Sequence, residues 1–244
     1  MDTSESPAAN KIVATVSEAV ANIPDGAVVG IGGFGAAGTP YRLVLALAER
    51  KVKGLTVVAT SPRQFEALIR SGSVKKAITP FARYADPSAP NPLLKPYQKG
   101  ALEVEIVPIG TLVERLRAAA AGIPAFYCPV GVSTMVEEGK EKRTFGTQQC
   151  ILEHALRLDF ALIKGHKSDR LGNLIYRMTS RCHNPVLAMA AKVTIAEVDE
   201  VVEVGKLDPE AIVTPGIFVH RVVKAEKAPL DWVYRGIKLT ERKT

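Results

Sequence analysis

Apolar positions at the start of the chain recur at helical spacing. Ile12, Val13, Val16, Ala19 and Val20 predict a helix over residues 10–22. A turn, Ile23-Pro24-Asp25-Gly26, leads into a short apolar strand that begins "AVVGIGGF". Thr39-Pro40 reads as a helix N-cap followed by proline at the first helical position, opening the helix "YRLVLALAER". Next come a buried strand ("LTVVAT"), a short helix ("PRQFEALIRSG") and a further strand ("VKKAITPF"). Residues 85–99 are proline-rich and predict an irregular excursion. "LEVEIVP" alternates as a strand does, and "GTLVERLRAAAAG" is helical in pattern. Further on, "FYCPVG" precedes a glycine- and charge-rich stretch. "DFALIKGH" and "VTIAEV" predict strands, "PVLAMAAK" a helix and "PGIFVHRVV" a last strand. Strands alternating with helices predict an α/β fold with an open, mainly parallel sheet and flanking helices. No internal repeat and no low-complexity linker interrupts the pattern, which predicts one domain over 1–244, with a core over 10–223 and a basic tail over 224–244.

Composition narrows the function classes. The chain of 244 residues is long enough to bury a sizeable core. Cys128, Cys150 and Cys182 are far apart and form no C-x-x-C pair, which argues against a zinc site or a disulfide framework and for a reducing, cytoplasmic setting. The polar start "MDTSESPAANK" has no apolar core for a signal or an anchor, and no apolar run approaches the ~20 residues of a membrane helix. The net charge is +7, with a small basic cluster at Arg235, Lys238, Arg242 and Lys243. Elsewhere basic and acidic residues are interspersed and aromatics are few, so no nucleic-acid partner is expected. The charge fits either a solvated basic surface or attraction of a small anionic ligand.

Gly30-Ile31-Gly32-Gly33-Phe34-Gly35 satisfies G-x-G-x-x-G, the dinucleotide-binding spacing. Two supports for that chemistry are missing. The second strand, "LTVVAT", leads to Ser61-Pro62-Arg63, with no carboxylate to hold a ribose, and the helix signal comes four residues past Gly35. No lysine follows the glycines, so a phosphate-binding P-loop is also excluded. Gly32, Gly33, Gly35 and Gly38 therefore admit two readings. The loop exposes backbone N–H groups to an anionic ligand near a helix N-terminus, or it packs tightly beneath a neighbouring element.

"DGAVVGIGGFGAAGTP" (Asp25–Pro40) resembles the signature of the family I coenzyme A transferases: Asp-Gly, an apolar strand, Gly-Gly-Phe, then Gly-x-Pro. Leu102–Glu141 resembles the family's next block and Leu158–Val223 the third, in the family's order. The likeness is to the A (alpha) subunit of the 3-oxoacid transferases, both the succinyl-CoA:acetoacetate and the 3-oxoadipate types. Residues 60–100 depart from the pattern. Ser61-Pro62 stands where many relatives carry two asparagines, Ile109 where a glutamine precedes Gly110-Thr111-Leu112, and Gly30 interrupts a strand that is otherwise apolar.

The resemblance implies a ping-pong enzyme in which a glutamate carboxylate attacks the thioester and then carries CoA as a glutamyl thioester. That glutamate lies in the B (beta) half of the family, in a Ser-Glu-Asn motif. Ser17-Glu18 is followed here by Ala19, so no catalytic nucleophile is expected in this chain. A B subunit is implied, in an AB or A2B2 assembly, with Gly32, Gly33, Phe34, Gly35, Ala36, Ala37 and Gly38 binding CoA. No metal or prosthetic group is implied, and CoA is a co-substrate. A CoA-ester hydrolase or ring-cleaving enzyme on the same scaffold is the alternative, followed by a non-catalytic binding protein.

Other side chains carry weaker signals. Glu137 and Glu138 are the nearest internal carboxylates, read as solvated or paired with Lys140 and Lys142. Glu114 and Arg117 have i, i+3 spacing and are expected to pair. Asp169, Gly172 and Asn173 form a turn. His154, His166, His183 and His220 share no metal-ligand spacing, and "GVST" at Gly131 lacks the last glycine of a serine-hydrolase elbow. His166 is expected at a strand end, either facing a cleft or as an ordinary polar terminus.

Overall fold

A computed structural model describes residues 10–83 and 91–225. The elements in chain order are α1 (Val16–Ala19), β1 (Val28–Ile31), α2 (Tyr41–Glu49), β2 (Leu55–Val58), α3 (Pro62–Arg70), β3 (Val74–Thr79), α4 (Leu94–Gln98), β4 (Glu103–Ile106) and α5 (Ile109–Ala120). They continue with β5 (Ala125–Cys128), β6 (Lys142–Phe145), β7 (Gln148–His154), β8 (Leu158–Asp169), β9 (Leu174–Ile175), α6 (Asn184–Ala190), β10 (Ala191–Val202) and β11 (Arg221–Lys224).

The main sheet runs β11-β10-β8-β1-β2-β3-β4, all neighbours parallel, with β9 antiparallel beside β8. This is the expected open, mainly parallel α/β sheet. Residues along each strand alternate between its two faces. Leu162 joins Ile31, Val57 and Ile195 under α2 and α3, where Leu43, Leu47, Phe65 and Leu68 are buried. Its neighbours Ala161 and Ile163 point the other way and join Val58, Ile78 and Val198 under α5 and α6, with Leu112, Leu116 and Leu187. Gly30 of β1 leaves room for that second layer. A Cβ there would stand 2.5 Å from Leu158 Cδ1 and 2.7 Å from Leu187 Cδ2.

The structure corrects several expectations. The first helix is only four residues long. Ile12 instead pairs in parallel with Val222, with Val13 N–H on Val222 O at 2.9 Å and Val222 N–H on Lys11 O at 2.8 Å. The β-branched Ile12 and Val13 suit extended backbone, and they cover β11, the end strand of the sheet. Thr15 accepts from Glu18 N while the Glu18 carboxylate accepts from Ala14 N, so the helix begins at this local cap.

Residues 94–98 are helical rather than irregular. Pro96 is tolerated there because a first-turn N–H has no intrahelical partner. The other prolines of that stretch fall partly within 84–90, and the basic tail lies beyond residue 225, both outside the described residues. The final strand is shorter than expected, because residues 216–218 form a single 3-10 turn. β8 runs on to Asp169, so His166 sits inside a strand rather than at its end.

A second, antiparallel sheet, β5-β7-β6, was not anticipated. β6 is exposed at every position and shows no apolar alternation, so its sequence carries no strand signal. The hairpin to β7 closes through the two residues Gly146-Thr147, with Gly146 at φ +61°.

Candidate functional site

From β1 the sheet grows one way through β2, β3 and β4, and from β8 the other way through β10 and β11. The order therefore reverses between β1 and β8, the position where open α/β sheets form a crevice at their carboxyl ends. Residues 32–38 occupy that position. Gly32 N–H donates to Leu162 O on β8 at 2.9 Å, and Phe34 and Ala37 exchange both backbone hydrogen bonds across a tight turn. Gly35 and Ala36 form its tip, and their N–H groups have no partner among the described residues.

Most of the glycines are required by packing. A Cβ on Gly32 would lie 1.7 Å from Asn184 Oδ1, one on Gly33 2.4 Å from Thr39 Oγ1, and one on Gly38 2.2 Å from Ser180 O. Gly35 differs: with φ +59°, an added Cβ would meet nothing within 4 Å. Tight packing thus explains Gly32, Gly33 and Gly38, and open space surrounds Gly35.

Two buried amides hold the loop. Gln64 Nε2 donates to Gly32 O at 2.6 Å and Gly33 O at 2.8 Å. Its Oε1 accepts from the N–H groups of Thr60 and Ser61, both at 2.9 Å, and from the Thr60 hydroxyl at 2.6 Å. On the other side Asn184 Nδ2 donates to Gly38 O at 3.0 Å and Ser180 O at 2.9 Å, while its Oδ1 accepts from Lys164 N at 3.1 Å. Neither residue was singled out from the sequence. Ser61-x-x-Gln64 is a capping-box spacing that could have marked Gln64. Asn184 acts across a separation of 146 residues, for which no local pattern exists.

The start of α2 corrects another expectation. Pro40 is the cap residue itself, and no side chain of the loop caps the helix. Thr39 Oγ1 turns back to Gly35 O at 3.2 Å. The helix N-terminus is capped from β10, where Glu197 Oε2 accepts from Arg42 N at 2.9 Å and Leu43 N at 3.1 Å. Burial raises the Glu197 carboxyl above its ordinary value, against the opposing pull of Lys164 and these two N–H groups.

A cleft of about 660 Å³ opens at the carboxyl ends of β1, β2, β3 and β4. Its walls include Phe34, Gly35, Ser61, Phe81, Arg83 and Ile106, and among the described residues no carboxylate lines it. Phe34, 49% exposed, meets Phe81 edge-on with ring centroids 6.3 Å apart. A second hollow of about 320 Å³ shares Ala82 and Ile106 and continues to Leu94, Tyr97 and Met135. Phe34 and Gly35 are thus the loop residues on the cleft wall, while Gly32, Gly33 and Gly38 lie beneath it.

Residues 13–225 match the family model for coenzyme A transferase. The chain is 44% identical over 232 residues to the A chain of 3-oxoadipate CoA-transferase from Pseudomonas putida, covering 93% of this chain and 99% of that one. It is 40% identical over 240 residues to mitochondrial succinyl-CoA:3-ketoacid coenzyme A transferase 2 of Homo sapiens, covering 89% of this chain and 45% of that one. Among solved structures, a variant of the decarboxylase AibA/AibB superposes with a TM-score of 0.77 at 28% identity, covering 88% of this chain and 84% of that one. The chain belongs to the coenzyme A transferase family.

Most of the other side chains singled out in the sequence are engaged in local pairs or turns. Glu137 is held by Lys142 at 2.7 Å and by Ser133 N–H, which together pull its carboxyl below the ordinary value. Lys140 pairs with the buried Glu153 at 2.6 Å, and Glu138 is exposed. Arg117 grips Glu114 with two nitrogens, at 2.6 and 2.8 Å, as the i, i+3 spacing implies. Asp169 accepts from the N–H groups of Leu171 and Asn173 and from the Asn173 amide, closing the turn at Gly172.

The histidines do not converge. His166 Nδ1 lies 3.1 Å from Asp199 Oδ2, beside Lys164, which reaches Asp199 at 2.8 Å and Glu197 at 3.3 Å. His154 ends β7, and His220 Nδ1 accepts from Thr194 N at 3.1 Å. His183, 9% exposed, precedes Asn184, and burial lowers its imidazole to about 4. Among the described residues no helix is long and apolar enough to cross a membrane.

The packing sets two expectations for stability. Gly38→Ala adds a methyl against Ser180 O at positive φ and is expected to cost at least about 3 kcal/mol, whereas Gly35→Ala costs about 1 kcal/mol of backbone strain. Urea unfolding of both variants checks the contrast, and equal losses would contradict the packing account.

The second concerns acid. A histidine kept neutral by burial supports the fold fully above its unfolded value of 6.5, and that support is lost as pH falls towards about 4. His183→Gln is expected to remove up to about 3 kcal/mol of the stability lost over that window, read from urea unfolding at stepped pH. An unchanged acid slope would contradict it.

Proposed function

We propose that this chain is the A subunit of a two-part CoA transferase that moves CoA from an acyl-CoA, such as succinyl-CoA, to a 3-oxo acid. The observation that carries this reading is that no carboxylate among the described residues lines the cleft beside the glycine loop. The loop and the apolar walls can hold a substrate, and the carboxylate nucleophile is assigned to the partner chain. The partial span supports the same reading, since this chain corresponds to 45% of the human mitochondrial relative.

In the proposed cycle the B-chain glutamate attacks the thioester carbonyl. The C–S bond breaks, leaving CoA thiolate and a mixed anhydride. The thiolate attacks the glutamyl carbonyl, releasing the first acid and forming a glutamyl thioester. The second acid's carboxylate attacks that thioester and expels the thiolate again. The thiolate then takes the new acyl carbonyl and regenerates the glutamate. Each addition places negative charge on a carbonyl oxygen, and preorganised donors in a site shielded from water lower its energy. The N–H of Gly35, which has no partner among the described residues, stands at the cleft wall and suits that role. The edge-on pair of Phe34 and Phe81 stands on the same wall. Lone pairs, protons and the thiolate balance through the cycle, so no metal or prosthetic group is needed and CoA is a co-substrate.

The test is CoA exchange from succinyl-CoA to acetoacetate or 3-oxoadipate, with a no-acid control. The chain is assayed alone and co-purified with the product of its neighbouring gene. Transfer that requires both chains is expected. Turnover by the isolated chain contradicts the divided site, and thioester loss in the no-acid control moves the reading to a hydrolase.

A further inference from the structure

We infer that Arg83 binds the second carboxylate of a dicarboxylic acyl group in the cleft beside the glycine loop. The inference rests on the transferase reading and names the class of acid that the site takes.

The walls of the cleft are largely apolar, and Arg83 is the one charged side chain on them among the described residues. Lys76 of β3 and Arg115 of α5 both hold the Glu105 carboxylate at 2.8 Å. Arg83 makes no ion pair among the described residues. The two residues before it are tied down through their carbonyls. Thr79 Oγ1 binds Phe81 O at 3.2 Å on the β3 side, and Asn91 Nδ2 donates to Ala82 O at 2.9 Å immediately before Arg83. An exposed guanidinium thus stands at the edge of an apolar cleft with no ion pair among the described residues.

The substrate chemistry supplies the missing partner. A monocarboxylic 3-oxo acid has one carboxylate, and that group reacts. A dicarboxylic acid keeps a second carboxylate that stays ionised through both half-reactions. Placed against Phe34, Phe81 and Ile106 without a partner, that charge would be costly. A planar guanidinium matches it with two parallel hydrogen bonds. In a ping-pong cycle the donor acyl group and the acceptor acid occupy one subsite in turn, so the same arginine serves both. Arg83 lines the same cleft as Phe34 and Gly35 of the glycine loop.

The test uses the assembled two-chain enzyme with Arg83→Gln and Arg83→Lys. In ping-pong kinetics kcat/KM for each acceptor reports only its own half-reaction. Arg83→Gln is expected to lower kcat/KM for 3-oxoadipate about 10- to 100-fold, mainly through KM, and to leave acetoacetate within about twofold. Arg83→Lys should recover part of the loss, because it keeps the charge but not the fork. An equal loss for both acids, or no loss, overturns the inference. So does a KM for the CoA thioester that rises whatever the acyl group, which would assign Arg83 to the CoA phosphates. If the wild-type complex transfers CoA to no acid, the transferase reading fails by itself. The Arg83 site is then decided by binding: 3-oxoadipate should raise Tm of the wild type and not of Arg83→Gln, and equal shifts overturn it.

Discussion

The site depends on one buried amide. Gln64, 1% exposed, takes the carbonyls of Gly32 and Gly33 with its nitrogen and three donors of residues 60–61 with its oxygen. It thereby joins the loop after β1 to the turn after β2. A buried carbonyl left without a partner costs about 1–3 kcal/mol, so the loop is held in one conformation as long as that amide is in place. Asn184 does the same from the α6 side, and Glu197 fixes the first turn of α2 behind the loop. The polypeptide that faces the cleft is therefore short, Phe34 and Gly35, and every element around it is braced.

This arrangement explains why a glycine-rich loop need not be a phosphate cradle. Its glycines are set by close approach to Asn184, Thr39 and Ser180, and only Gly35 stands in open space. The G-x-G-x-x-G spacing is met by residues whose backbones pack against the protein itself. Gly30 shows the same economy one step earlier, where Leu158 and Leu187 occupy the volume that a side chain in β1 would take.

Much of this was legible in the sequence. The alternation of apolar strands and amphipathic helices carried the parallel sheet, because both faces of the sheet are buried and each helix shows one apolar side. The loop over 32–38 was visible as well. Three things were not. β5, β6 and β7 form a small second sheet, and β6, exposed at every position, carries no period-two signal. Ile12 and Val13 fit a helical spacing and an extended one equally, and pairing with Val222 decided between them. Gln64, Asn184 and Glu197 take their roles from contacts that the fold brings together. Of these, Gln64 alone carried a local capping signal, and it marked a helix start rather than a clamp.

In the proposed function the braced loop presents its tip, with Gly35 on the cleft wall, to the acyl-CoA. Hydrogen exchange of the assembled enzyme, with and without a CoA thioester, tests it most directly. The Gly32 and Ala37 amides, bonded to Leu162 O and Phe34 O, should exchange slowly in both states. The Gly35 and Ala36 amides should exchange fast in the free enzyme and become protected when the thioester binds. Unchanged exchange at Gly35 and Ala36, with protection appearing elsewhere in the chain, would contradict the account.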